Sequence, residues 1–206
     1  MLKEIAILFI ACASAMAQNK PAPAKVDAST PRDQQIALAL SAAPPEVAEA
    51  ATVYVIGHRG YERVRKGTNG FTCTIDREFV TTVEPECFDA EGTKTIFQTR
   101  LRTEELRALG KTENEIKADI EEGYKTGKFR APSKPGIIYM LSDHNRVFDP
   151  SSKKIISFPG HLMFYAPYAT ARDLGYKSEP FLPYLVHPGA PDALMIVVPQ
   201  DGRQHH

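Results

Sequence analysis

The sequence predicts a single α+β domain with a central, mainly antiparallel sheet and a helical hairpin on one face. Three observations predict it. Short runs of strand composition recur between Thr52 and Val198. Two amphipathic helical stretches follow one another between Thr93 and Gly127. Sixteen prolines and thirteen glycines punctuate the connections, as expected of short elements joined by turns. A chain of 206 residues, 43% of them apolar, can bury one sizeable core.

The N-terminal stretch MLKEIAILFIACASAMAQ has a lysine near its start, an apolar run from Ile5 to Ala11, and Ala15-Met16-Ala17 as a small-x-small cleavage site. That is the layout of a secretory signal peptide, over residues 1–17. Phe9-Ile10-Ala11-Cys12 loosely resembles a lipobox, so a lipid anchor through Cys12 is the alternative. Residues 18–29 are rich in Pro, Ala and Lys and read as a flexible leader. The domain is expected over 30–199 and a loose polar tail over 200–206. No later run approaches the length of about 18 apolar residues that a membrane helix needs. The expected address is the periplasm or the outside of the cell.

Within the domain, Thr30-Pro31-Arg32-Asp33 reads as a helix start, with a threonine cap and proline in the first turn. The helix runs through Ile36 and Leu40 and stops before Pro44-Pro45. A short second helix, EVAEAA, leads into a strand over 52–56. Tyr61 to Lys66 and Phe71 to Asp76 read as a hairpin around Gly67-Thr68-Asn69-Gly70, because Asn-Gly tolerates positive φ. Pro85-Glu86-Cys87 reads as a loop tied onto that hairpin. Residues 93–109 read as one helix with Phe97, Leu101, Leu106 and Leu109 facing inward. Thr112-Glu113-Asn114-Glu115 is a capping box, and Ile116, Ile120 and Tyr124 form an i, i+4, i+8 stripe. Three apolar runs, Ile137 to Leu141, Leu162 to Ala166 and Leu194 to Val198, do not alternate cleanly, which predicts central strands buried on both faces. The sheet should hold about five to seven strands.

Removal of the signal peptide takes Cys12 with it and leaves Cys73 and Cys87. An even count in an oxidising compartment reads as a disulfide. A metal site would need closely spaced ligands such as C-x-x-C, and none occur; a reactive thiol would need a neighbouring base. Phe71, Cys73 and Ile75 alternate with polar residues, so on a strand the sulfur points to the apolar side. A bridge closing a loop of this size contributes roughly 3 kcal/mol in the chain-entropy model.

Lysine and arginine number 25, as do aspartate and glutamate. Zero net charge argues against nucleic acid as a partner. The sequence has no G-x-S-x-G elbow, P-loop, H-E-x-x-H or dinucleotide fingerprint, and no spacing assigns a catalytic residue. The ligand-binding candidates are His58 and Arg59 after the first strand, Asp143 and His144 after the run ending at Leu141, His161 before the next run, and Tyr165 within it. If those strands were neighbours, His58, His144 and His161 could converge at one sheet edge and hold zinc or an anion. Structural, hydrogen-bonded histidines are the plainer expectation, with no cofactor. The charged face of the helical hairpin reads as solvated surface.

Several segments together resemble a group of exported bacterial proteins. They are Gly67-Thr68-Asn69-Gly70-Phe71-Thr72-Cys73, Cys87-Phe88-Asp89, Gly136-Ile137-Ile138-Tyr139-Met140-Leu141 and His161-Leu162-Met163. The resemblance implies a bacterial envelope or secreted protein in which the cysteine pair and His161 belong to the shared pattern. It carries no activity. The reading is therefore a non-catalytic binding or structural module, with a small exported enzyme or a metal-binding protein using the histidines as the alternative.

Overall fold

A computed structural model describes residues 25–77, 81–149, 151–175 and 182–198. The expected signal peptide over 1–17, Cys12, most of the expected leader and the tail lie outside the described residues.

The chain folds as α1 (Arg32–Leu40), α2 (Pro45–Ala48), β1 (Thr52–Gly57), β2 (Gly60–Arg65), β3 (Thr72–Asp76), β4 (Glu84–Phe88), α3 (Ala90–Lys94), α4 (Ile96–Ala108) and α5 (Glu113–Lys125). Then follow β5 (Ile137–Met140), β6 (Arg146–Asp149), β7 (Lys154–Ser157), β8 (His161–Tyr165), α6 (Ala171–Leu174), β9 (Tyr184–Val186) and β10 (Leu194–Val197). Eight strands make one sheet in the order β2-β1-β3-β4-β5-β8-β10-β9, and β6 and β7 form a separate two-stranded ribbon. Among the described strands only the β1–β3 pair is parallel. The α+β class, the mainly antiparallel sheet and the helical hairpin, α4 with α5, are all present.

Both faces of the sheet are covered near its middle. On one face α1 sets Leu38, Ala39 and Ala42 against Val53, Cys73, Ile75 and Cys87. On the other, α4 sets Ile96 and Phe97 into a core with Phe88, Ile138, Met140, Met163, Leu194 and Ile196. All five residues of β3 are buried because it lies between these layers. A strand's side chains alternate between faces, so Cys73 and Ile75 face α1 while Thr74 and Asp76 face the helical hairpin.

The sheet has eight strands, more than the five to seven expected, and four further expectations need correction. The Asn-Gly stretch is not a hairpin turn, because β1 lies between β2 and β3. The real hairpin is β1–β2, turning at His58-Arg59, with Gly60 at φ 105° against the Glu105 backbone; only glycine fits that conformation and that space. The Gly67 to Gly70 segment instead crosses the start of β1. Thr68 N donates to Ala50 O, and a side chain on Gly67 would collide with the Ala51–Thr52 backbone.

Second, Pro85-Glu86-Cys87 is no loop but the body of β4, paired antiparallel with β3 in register Cys73↔Cys87. The proline lies outside the part of β4 that β5 pairs, Cys87 and Phe88, so β4 has only β3 as a ladder neighbour there. Third, the 93–109 helix is two helices, α3 and α4, broken at Thr95 (φ −122°, ψ −89°). Asp89 caps α3 by accepting from Glu91 N and Gly92 N, so helix begins earlier than the apolar pattern does. Leu109 is 68% exposed rather than inward. Fourth, β5, β8 and β10 are not buried on both faces. They alternate buried and half-buried, because α1 does not reach this end of the sheet. The helix beginning at Arg32, the strand from Thr52 and the Thr112 capping box are as expected, but Pro31 is the N-cap of α1 and Thr30 Oγ1 instead accepts from Asp27 N. No helix among the described residues is long and apolar enough to cross a membrane.

Candidate functional site

A cleft of about 1230 Å³ lies between the α4–α5 hairpin and the face of β5, β8, β9 and β10 on which Met140, Met163, Leu194 and Ile196 are carried. Its floor is apolar: Met140, Met163, Val186, Leu194 and Ile196. The register explains this grouping, since Met163 pairs with Ile138 on one side and with Ile196 on the other. One wall is α5, whose stripe Ile116, Ile120 and Tyr124 faces the cleft; α4 contributes Thr99, Arg100 and Thr103. The stripe read from sequence thus lines a cavity instead of filling a core.

Ionisable groups gather where β3, β4 and α4 meet. Arg100 Nε lies 2.7 Å from Asp76 Oδ2 and 3.6 Å from Glu86 Oε2. Glu86 is 2% exposed, and its Oε2 makes no hydrogen bond. Burial works against the Arg100 cation, yet Asp76 and Glu86 outweigh it and hold its pKa above the ordinary value. Burial pushes the Glu86 pKa up to about 8; Arg100 opposes the rise, and Asp76 and Glu84 reinforce it. One guanidinium thus serves the nearer carboxylate, Asp76, and leaves Glu86 holding a proton at neutral pH. Tyr124 Oη is also buried without a hydrogen-bond partner, and burial raises its pKa above the usual phenol value.

At the far end of the cleft Arg77, Glu104 and Arg107 form a buried ion network that reaches the surface at Glu113. Arg77 pairs with Glu104, and Arg107 Nη1 reaches Glu104 at 2.7 Å while its Nε reaches Glu113 at 2.9 Å. Arg77 also donates to Val26 O at 3.1 Å. These contacts tie the incoming chain, the end of β3 and α4 together.

His161 begins β8 opposite Met140 and lines the cleft, stacked near Phe158. Burial lowers its pKa, so the ring is neutral. Its Nδ1 lies 3.1 Å from Pro159 O, which places the proton there and leaves Nε2 as the lone-pair nitrogen. His187, half-exposed at the rim, approaches Asp192 at 3.5 Å.

The other sequence candidates lie elsewhere. His58 and Arg59 are exposed on the β1–β2 turn, with β3 and β4 between them and β5. Asp143 is exposed after β5, and His144 N donates to Ser142 Oγ. The structure therefore brings His161 to the cleft without His58 or His144. No group of three or more His, Cys, Asp or Glu among the described residues is arranged to hold a metal ion. Tyr165 packs beside Gly92 and Gly136, and its hydroxyl donates to Asp89 Oδ1 at 2.7 Å. Its part is to fix the α3 cap to β5. Cys73 and Cys87 are joined as a disulfide, with Cα atoms 4.0 Å apart.

Sequence reasoning missed Glu86, Asp76 and Arg100. The signal was the alternation Glu84-Pro85-Glu86-Cys87-Phe88. Read as a strand, a cysteine directed to one core puts Glu86 on the opposite face together with Phe88. Comparison with known protein families, with curated proteins and with solved structures gives no match.

Proposed function

We propose that the protein is an exported bacterial ligand-binding protein. It works in the periplasm or outside the cell and holds a small, largely apolar molecule in the cleft without transforming it. The observation that carries this reading is the cleft: a concave, apolar floor with a few convergent polar groups is the usual form of a small-molecule site. The disulfide and the leader sequence support an oxidising compartment, either as a free protein or anchored through Cys12.

The test uses the mature protein and a neutral apolar dye, Nile red. It should bind one-to-one, and Met163→Trp, which fills the floor, should weaken binding about tenfold. Leu162→Trp, one residue along on the other face of β8, should leave binding intact. Equal binding by both variants, or no binding by the native protein, overturns the reading.

A second reading, an exported enzyme, is favoured by one observation: a protonated Glu86 and a neutral His161 line the same cleft, and perturbed groups in a cleft suit acid–base chemistry. Turnover of a bound ester or amide that is lost in both Glu86→Gln and His161→Asn would establish it in place of the first.

A further inference from the structure

We propose that the cleft recognises a primary ammonium group carried on an apolar chain, with the ammonium seated at Glu86 and Asp76 and the chain lying along Met140, Met163, Leu194 and Ile196. This rests on the ligand-binding reading above and names the chemistry of its ligand.

The charge count inside the cleft decides the sign. Asp76, Glu84 and Glu86 come from adjoining strands, and Asp192 precedes β10; Arg100 is the cation placed among them. The other cleft cations are engaged elsewhere. Arg77 and Arg107 are held by Glu104 and Glu113. His187 faces Asp192. Lys117 and Lys125 stand on the outer part of α5, Lys117 within 3.9 Å of Glu121. An anionic head would compete with Asp76 for Arg100. A neutral head would add no charge beside Glu86, whose Oε2 makes no hydrogen bond and has Arg100 Nε at 3.6 Å. An ammonium offers three donors; Glu86 Oε2 and Asp76 Oδ2, each within 3.6 Å of Arg100 Nε, supply acceptors, and Tyr124 Oη, without a hydrogen-bond partner, lines the same cleft. The arrangement does not suit a bare metal ion, since no three-ligand group occurs among the described residues, and the apolar floor calls for an organic body.

Seating a cation beside Glu86 changes its protonation. The groups that act on Glu86 are Asp76 of β3, Glu84 of β4 and Arg100 of α4. Around them stand Tyr61 of β2, Tyr124 of α5, His161 and Tyr165 of β8, and Asp192. The phenols stay neutral, because burial raises their pKa, and His161 stays neutral because burial lowers its own. The bound ammonium is the added charge, and it draws the proton off Glu86. Binding near pH 7 should release up to about one proton per ligand.

The experiment is calorimetric titration of the mature protein at pH 7 with octylammonium, octanol and octanoate, each in two buffers of different ionisation enthalpy. Octylammonium should bind about tenfold or more tightly than octanol, octanoate weakest, with a buffer-dependent heat for the amine alone. In Glu86→Gln the amine's advantage should fall to about threefold or less, and the buffer dependence should vanish. The head-group ranking in the native protein stands as a test even if that variant does not fold. Octanol or octanoate binding as tightly as the amine, or amine binding without proton release, overturns the inference and leaves the cleft reading standing. Failure of all three to bind, with Nile red excluded as well, overturns both.

Discussion

Cys73 and Cys87 are direct cross-strand partners of β3 and β4, and the next pair along, Thr74↔Glu86, faces the opposite side of the sheet. The disulfide therefore fastens from behind the two strands that carry Asp76 and Glu86. Reduction should add two hydrogens to the mass of the mature protein and lower its stability by roughly 3 kcal/mol, read by denaturant titration with and without reductant. Two free thiols in native protein from its own compartment would contradict the pairing.

Glu86 predicts a pH dependence of definite sign. Its folded pKa is about 8 against an unfolded value of 4.5, so between those values the folded state binds the extra proton. Stability from this group is undiminished below the unfolded value and falls as pH rises through the window, by at most about 1.4 kcal/mol per pH unit. His161, with its lowered pKa, acts oppositely: its cost appears as pH falls below 6.5 toward the folded value. The difference between native protein and Glu86→Gln isolates the first effect. The variant should gain relative stability from pH 5 to pH 8; a parallel pair of curves would show that Glu86 is not proton-bearing.

The Arg77–Glu104 pair should be costly to break. Glu104 is 2% exposed and meets both Arg77 and Arg107, so Glu104→Ala takes the carboxylate from buried Arg77 and leaves Arg107 with Glu113, and should cost about 3–5 kcal/mol. Lys111 and Glu115 form an exposed pair on the surface, and Lys111→Ala should cost less than about 1 kcal/mol. Urea midpoints of the two variants measure the contrast.

Tyr165 should behave as a structural residue. Tyr165→Phe removes donors to Asp89 and to Ile137 O and should cost about 1 kcal/mol without changing dye affinity. Gly136→Ala would drive a methyl into Asp89 and Tyr165 and should cost about 1–3 kcal/mol. Loss of ligand binding in Tyr165→Phe at unchanged stability would instead make Tyr165 a ligand contact.

Local signals carried most elements into the sequence reading: Thr112 with Glu115, the proline-started α1, the apolar runs of β5, β8 and β10. Pairing was less legible. Asn69-Gly70 looks like a hairpin turn in any five-residue window, and only the packing of Gly67 on the β1 backbone reveals a crossing. The weakly apolar β6–β7 ribbon and the three-residue β9 carry too little pattern to be seen. The cysteine pair was readable because only two cysteines follow residue 17 and they fall at matching strand positions. The polar centre was not, because Asp76, Glu86 and Arg100 come from three elements whose adjacency depends on the sheet order, and a proline beside Glu86 disguised its strand.

The central claim, that the cleft is the ligand site, meets its most direct test at the methionine methyls. Beyond residue 17 the chain has three methionines, Met140 and Met163 on the cleft floor and Met195 on the opposite side of β10, beside Phe164 and Leu185. In protein labelled at the methionine methyls, saturation with Nile red should shift the Met140 and Met163 resonances and leave that of Met195 in place. A shift of Met195 alone, with the two cleft signals unmoved, would contradict the account.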